Sequence, residues 1–389
     1  MANNLTAVMP TLYAALSEVS RELIGFIPNV NRDSTTEMAA VGQTVQSPVV
    51  PQNTLEDITP GNDPADSGDQ TIGNVNVTIS KSKAYPIRWT GEEQKALSPY
   101  GQINTILRDQ FAQGFRTLAN AVESDLAAQY VNASRAYGTP GTTPFATADD
   151  MTDLSEINRI LDENGAPQGG RVMVVGSSAR AKLEGKQSQL FKANEAGDAG
   201  ALLRNREMRR LHGFVMGYSA GINAHTAGTS AASSPDYLVD LGAGYDAGDT
   251  SIHLDTGTGD HLSGDVISFA GDPNKYVIGT GAAGDGDKDI VINDPGLLLA
   301  LDDGVVATTD ASYTANLGFH QNALLLAARQ PAMPEGGDAA DDVTTLVDPV
   351  SGLTFQVAVY HQYRRVKFEI GLAWGTAAPN PKWLSILQG

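Results

Sequence analysis

Five consecutive residues, Asp285-Gly286-Asp287-Lys288-Asp289, put a carboxylate at every second position. A calcium loop supplies its first oxygen ligands with that spacing, then needs glycine at the sixth position and a bidentate glutamate at the twelfth. Ile290 and Gly296 stand there instead. The stretch is no EF-hand, and Asp285, Asp287 and Asp289 remain a weak, irregular cation site in competition with a solvated turn between strands.

Val172 to Ser178 reads as strand, Gly-Ser-Ser, helix. That outline is shared with nucleotide-binding turns, but one glycine stands where the dinucleotide fingerprint needs three, and a Walker lysine and a well-placed ribose-binding carboxylate are both missing. An enzyme acting on nucleotides or sugars would have to be built on this stretch. The histidines, His212, His225, His253, His261, His320 and His361, are scattered without metal-ligand spacing. No Ser/His/Asp order and no HExxH-type signature is present. With no cysteine in 389 residues, thiol nucleophiles, disulfides and cysteine-ligated zinc are excluded, and folding in a reducing cytoplasm is indicated. The expectation is a protein that is not an enzyme, with no catalytic residues, cofactor or strong metal site.

The element that organises the chain is a helix from Ser98 to about Ala133. Ile103, Ile106, Leu107, Phe111, Phe115, Leu118, Val122, Leu126 and Tyr130 recur at three- and four-residue steps, while Arg108, Asp109, Arg116, Glu123 and Asp125 mostly fall on other faces. Ser98-Pro99 reads as its start, and Gly138 with Pro140 closes the far end. At 1.5 Å per residue it would reach roughly 50 Å, a spine rather than an ordinary core helix. Gly114 within it costs about 1 kcal/mol relative to alanine, which points to a close packing contact.

Ahead of the spine, Leu5 to Ile27 reads as a helix with Leu12, Leu16, Val19, Leu23 and Ile24 on one face. Asn31 to Asp69 is too polar to bury a core of its own, and reads either as disordered or, favoured by its mix of β-formers and prolines, as an arm that orders on a neighbour. Val75, Val77 and Ile79 alternate with polar residues in a strand continuing to Trp89. Paired with Gly42 to Val50 across the acidic Asn53 to Asp69 tip, it makes a long two-stranded loop, marginal in isolation and suited to support from a neighbouring subunit.

After the spine, a helix at Asp153 to Asn164, a buried strand at Arg171 to Val175, a helix from Ser177 to Gly185 and a strand at Gly213 to Tyr218 make an α+β unit, with Lys186 to Arg210 as a surface loop. From Ile222 to Asn316 fifteen aspartates face only Lys275 and Lys288, a balance of −13 within a chain of −19. Short strands recur there at Tyr237 to Leu241, Ser251 to Leu254, Asp265 to Ala270, Lys275 to Gly279, Asp289 to Asn293 and Gly304 to Thr308, the pattern of a small antiparallel barrel or sandwich. Phe355 to Tyr360 and Arg364 to Leu372 alternate as strands needing a partner, which the apolar stripe of the spine supplies. The net charge disfavours nucleic-acid binding as a primary role. No signal peptide is recognisable at Met1 to Pro10, and no window approaches the roughly 18 apolar residues of a membrane span.

This order of segments resembles the major capsid protein fold of tailed bacteriophages, the Hong Kong 97 type. Ser263-Gly-Asp-Val-Ile-Ser-Phe-Ala-Gly271, Tyr276-Val-Ile278, Asn316-Leu-Gly-Phe-His-Gln-Asn-Ala-Leu324 and Ala328-Arg-Gln-Pro331 resemble the branch typified by the coat protein of short-tailed Salmonella phages, in which an extra β-barrel interrupts the tip-side domain. The resemblance implies an α+β Hong Kong 97 type fold with an N-terminal arm (1–40), an extended two-stranded loop or E-loop (41–92), a peripheral domain with the spine helix (93–149 and 332–389), an axial domain (150–221 and 317–331) and an inserted acidic barrel (222–316), expected on the outer face.

It further implies a virion protein assembled in the host cytoplasm into homo-hexamers and pentamers around packaged DNA held without sequence-specific binding. Its partners would be a scaffolding protein, separate because the chain begins directly with the arm, a portal protein and, on the outside, room for a decoration protein. No lysine–asparagine crosslinking motif can be placed. Expected assembly residues are Leu12, Leu16, Glu18 and Glu22 on the first helix, Asp57 in the loop tip, and Lys81, Lys83 and Arg88 on the returning strand; for the first helix and the Asp33 to Glu37 segment a solvated polar face is the alternative. A decoration or tail component using the acidic insert as a binding module is the alternative function.

Overall fold

The computed structural model describes Leu12, Ala15 and residues 25–49, 73–97, 103–147, 150–186, 210–348 and 351–389. Its first strand is Asn31–Ala39 (β1), followed by a ribbon of Thr44–Val49 (β2) and Gly73–Thr78 (β3), then Lys81–Thr90 (β4), a short helix Gly91–Leu97 (α1) and the spine Ile103–Ala127 (α2). Arg135–Tyr137 (β5), Thr152–Glu163 (α3), Arg171–Val175 (β6), Ser177–Lys186 (α4), Arg210–Leu211 (β7), Phe214–Tyr218 (β8) and Ala224–His225 (β9) come next. The acidic region holds Tyr237–Val239 (β10), Ser251–Asp255 (β11), Val266–Phe269 (β12), Lys275–Thr280 (β13), Lys288–Ile292 (β14) and Val306–Thr309 (β15). Tyr313–His320 (β16), Leu325–Pro331 (β17), Asp342–Val347 (β18), Thr354–Gln362 (β19), Arg365–Ala377 (β20) and Leu384–Gln388 (β21) complete the chain.

The apolar alternation of β20 fixes the first layer. Val366, Phe368 and Ile370 oppose Trp89, Ile87 and Tyr85 of β4, so one face of the pair is a continuous apolar surface, and the stripe of α2 covers it. Phe111 meets Phe368 edge-on at 5.4 Å between centroids, and Phe115 meets Phe355 of β19 at 5.0 Å. β20 runs between β4 on one side and β19 and β17 on the other, with β18 outside β19 and β1 outside β17.

In the second layer β16 lies between β21 and β6, and β8 joins β6 in parallel, with α3 and α4 burying Leu154, Ile157, Leu161, Ala179 and Leu183 against it. β5 then carries the sheet from β21 to β13.

The acidic region is a closed six-stranded antiparallel barrel in the order β10-β11-β14-β13-β12-β15, with β15 returning to β10. All six expected strands are present. Alternation puts Ile252, Leu254, Ile267, Phe269, Ile278, Ile290 and Ile292 inside, which closure requires of a barrel small enough to be filled by side chains. The fold is thus α+β with an inserted β-barrel.

Several expectations need correction. The α-helix of the spine ends at Ala127 and tightens into a 3-10 turn over Ala128–Asn132, so its 25 described residues span about 38 Å at 1.5 Å each; its expected start at Ser98-Pro99 lies outside the described residues. The strand expected from Val75 to Trp89 is two strands, broken where Ile79 donates to the Gln43 carbonyl and Ser80 to that of Trp374. The polar segment at Asn31 does not wait for a neighbouring subunit: Asn31–Ala39 pairs in parallel with β17 of its own chain, because the exposed edge of that strand supplies the missing partner. The first helix, expected to reach Ile27, has given way to a bend at Gly25 and a 3-10 turn at Ile27–Asn29. Sheet membership also cuts across the expected segment borders. β17 belongs with the strands under α2, and β21 lies beside β16.

Candidate functional site

The three aspartates of the candidate cation loop do not converge. Asp285 accepts the Gly259 amide at 2.7 Å, Asp289 faces His253 Nδ1 at 2.8 Å and Asp287 is exposed. Lys288 between them turns inward, because β14 alternates with a buried residue at 288. Its ammonium donates to the carbonyls of Gly259 (2.5 Å) and Gly284 (2.9 Å) and sits 4.2 Å above the Tyr237 ring, and burial lowers its pKa. Among the described residues no three His, Asp or Glu side chains gather as a metal site.

The turn after β6 is likewise occupied from within, since the Gly176 amide donates to Asn316 Oδ1 at 2.8 Å. The cavity beside it, about 430 Å³, is lined by Ser177, Ser178, Tyr218, Ser219, Thr314 and Asn316 among others, and by no lysine or arginine. A phosphate would find neither charge nor a free amide at Gly176.

The histidines serve structure. His225 Nε2 meets the fully buried Asp265 at 2.7 Å and its Nδ1 meets the Tyr130 hydroxyl at 2.8 Å. Asp265 also accepts the amides of Gly228 (3.0 Å) and Leu262 (2.7 Å), so one carboxylate joins the barrel to the end of the spine. Asp289 first, and then Asp240 and Asp287, raise the pKa of His253. His361 pairs with Asp341 at 2.6 Å, His320 accepts the Asn322 amide at 3.2 Å, and His212 forms the β7–β8 turn. His261 is buried with no hydrogen-bond partner on either ring nitrogen.

The expected assembly residues fall in different places. Leu12 is helical and buried; Leu16, Glu18, Glu22 and Asp57 lie outside the described residues. Lys81 is engaged in its own chain at 2.5 Å from Asp125, whose other oxygen accepts the Trp374 indole N–H at 2.7 Å. Lys83 lies over the Trp374 ring at 6.0 Å, and Arg88 is exposed opposite Lys367.

Two features escaped the sequence reading. Glu123, expected off the apolar stripe, is buried and accepts the amides of Phe26 (3.0 Å) and Ile27 (2.8 Å) and the Ser219 hydroxyl (2.7 Å). Its four-residue spacing from Ala119 and Ala127, both buried, was the available signal. Burial raises its pKa against the lowering pull of those three donors. The second is the tip of the β19–β20 hairpin, where Tyr363 is 88% exposed.

The ribbon β2–β3 pairs Thr44–Val49 with Gly73–Thr78 and hydrogen-bonds to no third strand among the described residues. Its root is packed, with Val77 joining Ala39, Ala327 and Ala373. Also among them, no helix is long and apolar enough to cross a membrane.

No protein-family model and no curated protein matches the sequence. Solved structures do. One from Mycobacterium phage Che8 is 15% identical, with a TM-score of 0.47 over 94% of this chain and 90% of that one. The capsid structure of the cyanophage P-SCSP1u is 11% identical, TM-score 0.44, covering 92% and 86%, and the asymmetric unit of the bacteriophage PhiM1 mature capsid is 10% identical, TM-score 0.42, covering 93% and 86%.

Proposed function

We propose that this chain is the major capsid protein of a tailed bacteriophage, with the Hong Kong 97 type fold and the inserted barrel of the short-tailed Salmonella phage branch, and that it builds the hexamers and pentamers of an icosahedral head around double-stranded DNA. The observation that carries the reading is the ribbon β2–β3, a two-stranded sheet of its own that precedes β4, α1 and the spine helix laid across the β4–β20–β19 sheet. A two-stranded ribbon is marginal in water, and a neighbouring copy is the natural support for it. In this reading 1–40 is the arm, 41–92 the E-loop, 93–149 with 332–389 the peripheral domain, 150–221 with 317–331 the axial domain and 222–316 an outward barrel, with β17 lent to the peripheral sheet and β21 to the axial one. The arm and ribbon carry the subunit contacts, a scaffolding protein guides assembly in the host cytoplasm, and a portal protein is a further partner.

The charge fits a container. A net −19 repels the genome, so DNA can be enclosed without being gripped.

Negative-stain electron microscopy of the full chain, expressed with and without its neighbouring open reading frames, tests the proposal. Closed shells or hexamer tubes are expected. Monomers or small rings under every condition would overturn it and turn attention to the acidic barrel as a ligand-binding module.

A further inference from the structure

Many of the described cations of this acidic chain are consumed internally. Lys81, Arg135, Arg159, Arg171, Lys275 and Arg329 each meet a carboxylate. Arg88, Arg364 and Arg365 do not, and all three are exposed at one end of the β4–β20–β19 sheet. The tip there is a two-residue turn: Gln362 pairs with Arg365, leaving Tyr363 and Arg364 as the loop. Tyr363 is 88% exposed, the largest exposure among the exposed large apolar side chains described, and Arg364 lies over its ring at 5.7 Å. Arg364 also holds φ at +56°, a left-handed conformation that glycine adopts without strain and arginine does not. The turn thus carries a charge where the backbone favours a residue with no side chain.

The barrel presents the converse surface. Its two lysines are withdrawn, Lys275 onto Asp310 and Lys288 under the Gly259 and Gly284 carbonyls. What it exposes is apolar side chains among carboxylates. Leu241 is 39% exposed, its amide donates to Asp303 Oδ1 at 3.0 Å, and exposed Asp240 and Asp302 adjoin this pair in sequence. One patch is an aromatic ring among unpaired arginines, the other an aliphatic side chain among aspartates, with His253 Nε2 3.8 Å from Asp240. Complementary charge around an apolar centre is how a specific interface fixes its register.

We propose that the Tyr363–Arg365 hairpin tip docks on the Asp240–Leu241 and Asp302–Asp303 patch of a second copy of this chain, Tyr363 against Leu241 and the arginines against the aspartates. The proposal deepens the capsid reading and rests on self-association.

The test places a photo-crosslinking phenylalanine derivative at position 363 of the full chain and irradiates a mixture of isotopically light and heavy protein. The expected product is a light–heavy crosslink to a peptide containing Leu241 or Asp302–Asp303. Its yield should fall about tenfold between roughly 0.05 M and 0.5 M salt, and also in Arg364→Gly/Arg365→Ser, where glycine keeps the turn. Combining Arg364→Asp/Arg365→Asp with Asp302→Lys/Asp303→Lys should restore it. Crosslinks within one chain, to a segment without carboxylates or to co-purifying nucleic acid would overturn the docking. Shells that form while position 363 captures no second copy refute the docking and leave the capsid reading standing; captured pairs without shells do the reverse.

Discussion

Glu123 of the spine helix accepts the backbone N–H of Ile27 at 2.8 Å, and this contact joins the chain's entry segment to its longest helix. The same carboxylate takes the Phe26 amide and the Ser219 hydroxyl, so three separate parts of the sequence meet on two oxygens. Space is tight, since a Cβ on Gly25 would lie 2.4 Å from Glu123 Oε2. Glu123→Gln turns one acceptor into a donor that must face a backbone N–H, and buried donors left without acceptors cost about 1–3 kcal/mol. Urea unfolding should show a lower midpoint with an unchanged slope. An unchanged midpoint would mean that the entry segment does not depend on this carboxylate.

Gly114 tests how closely the spine lies on its sheet. A Cβ there would stand 2.8 Å from Ile370 Cδ1 and 2.9 Å from Tyr85 Cδ1. Alanine gains about 1 kcal/mol of helix propensity, whereas overpacking a filled contact costs about 1–3 kcal/mol. Gly114→Ala should therefore be destabilising by about 1 kcal/mol, and Gly114→Leu by more. A stabilised alanine variant, measured by thermal or urea unfolding, would show that the helix can lift away from Ile370 without loss.

How much of this was legible in the sequence depended on what each residue has to display. Strands of the barrel were readable because each buries one face and is cut off by Gly or Asp turns, as at Asp285 to Lys288. The partnership of α2 with β20 was readable because Phe111 and Phe115 share a stripe and Val366, Phe368 and Ile370 alternate. β1 was not readable, since an edge strand resting on β17 needs few apolar residues, and its pairing partner lies some three hundred residues on. Nor was the break at Ile79–Ser80, which is made by backbone bonds to Gln43 and Trp374 and has no local glycine, proline, asparagine or aspartate to announce it. Charge misled at Glu123, which reads as lying off the apolar stripe yet is buried and accepts from Phe26, Ile27 and Ser219.

Asp265 should be the most sensitive position of the barrel junction. It is fully buried and accepts from His225, Gly228 and Leu262. Asp265→Ala strands all three donors, for an expected loss of about 3–5 kcal/mol. Asp265→Asn, which keeps the shape and one acceptor oxygen, should lose less. Thermal unfolding of the two variants separates them, and equal, small losses would remove the assignment of a clamp between barrel and spine.

His261 gives the barrel a dependence on pH whose sign can be worked out. Its ring is buried, 4.8 Å from that of Tyr237, with both nitrogens unpartnered. Burial, and then the charge of Lys288, lowers its pKa from 6.5 to about 4, against the opposing pull of Asp265 and Asp260. The unfolded chain therefore takes up a proton between pH 6.5 and 4 that the folded chain refuses, so stability is full above that window and is lost as pH falls through it. The largest loss this group can produce is about 3 kcal/mol. His261→Phe keeps a ring against Tyr237 and removes the titration. Urea unfolding at several pH values should give a variant no less stable at neutral pH and more stable than the parent near pH 4.5. Parallel curves for the two proteins across the window would assign the acid sensitivity to other groups.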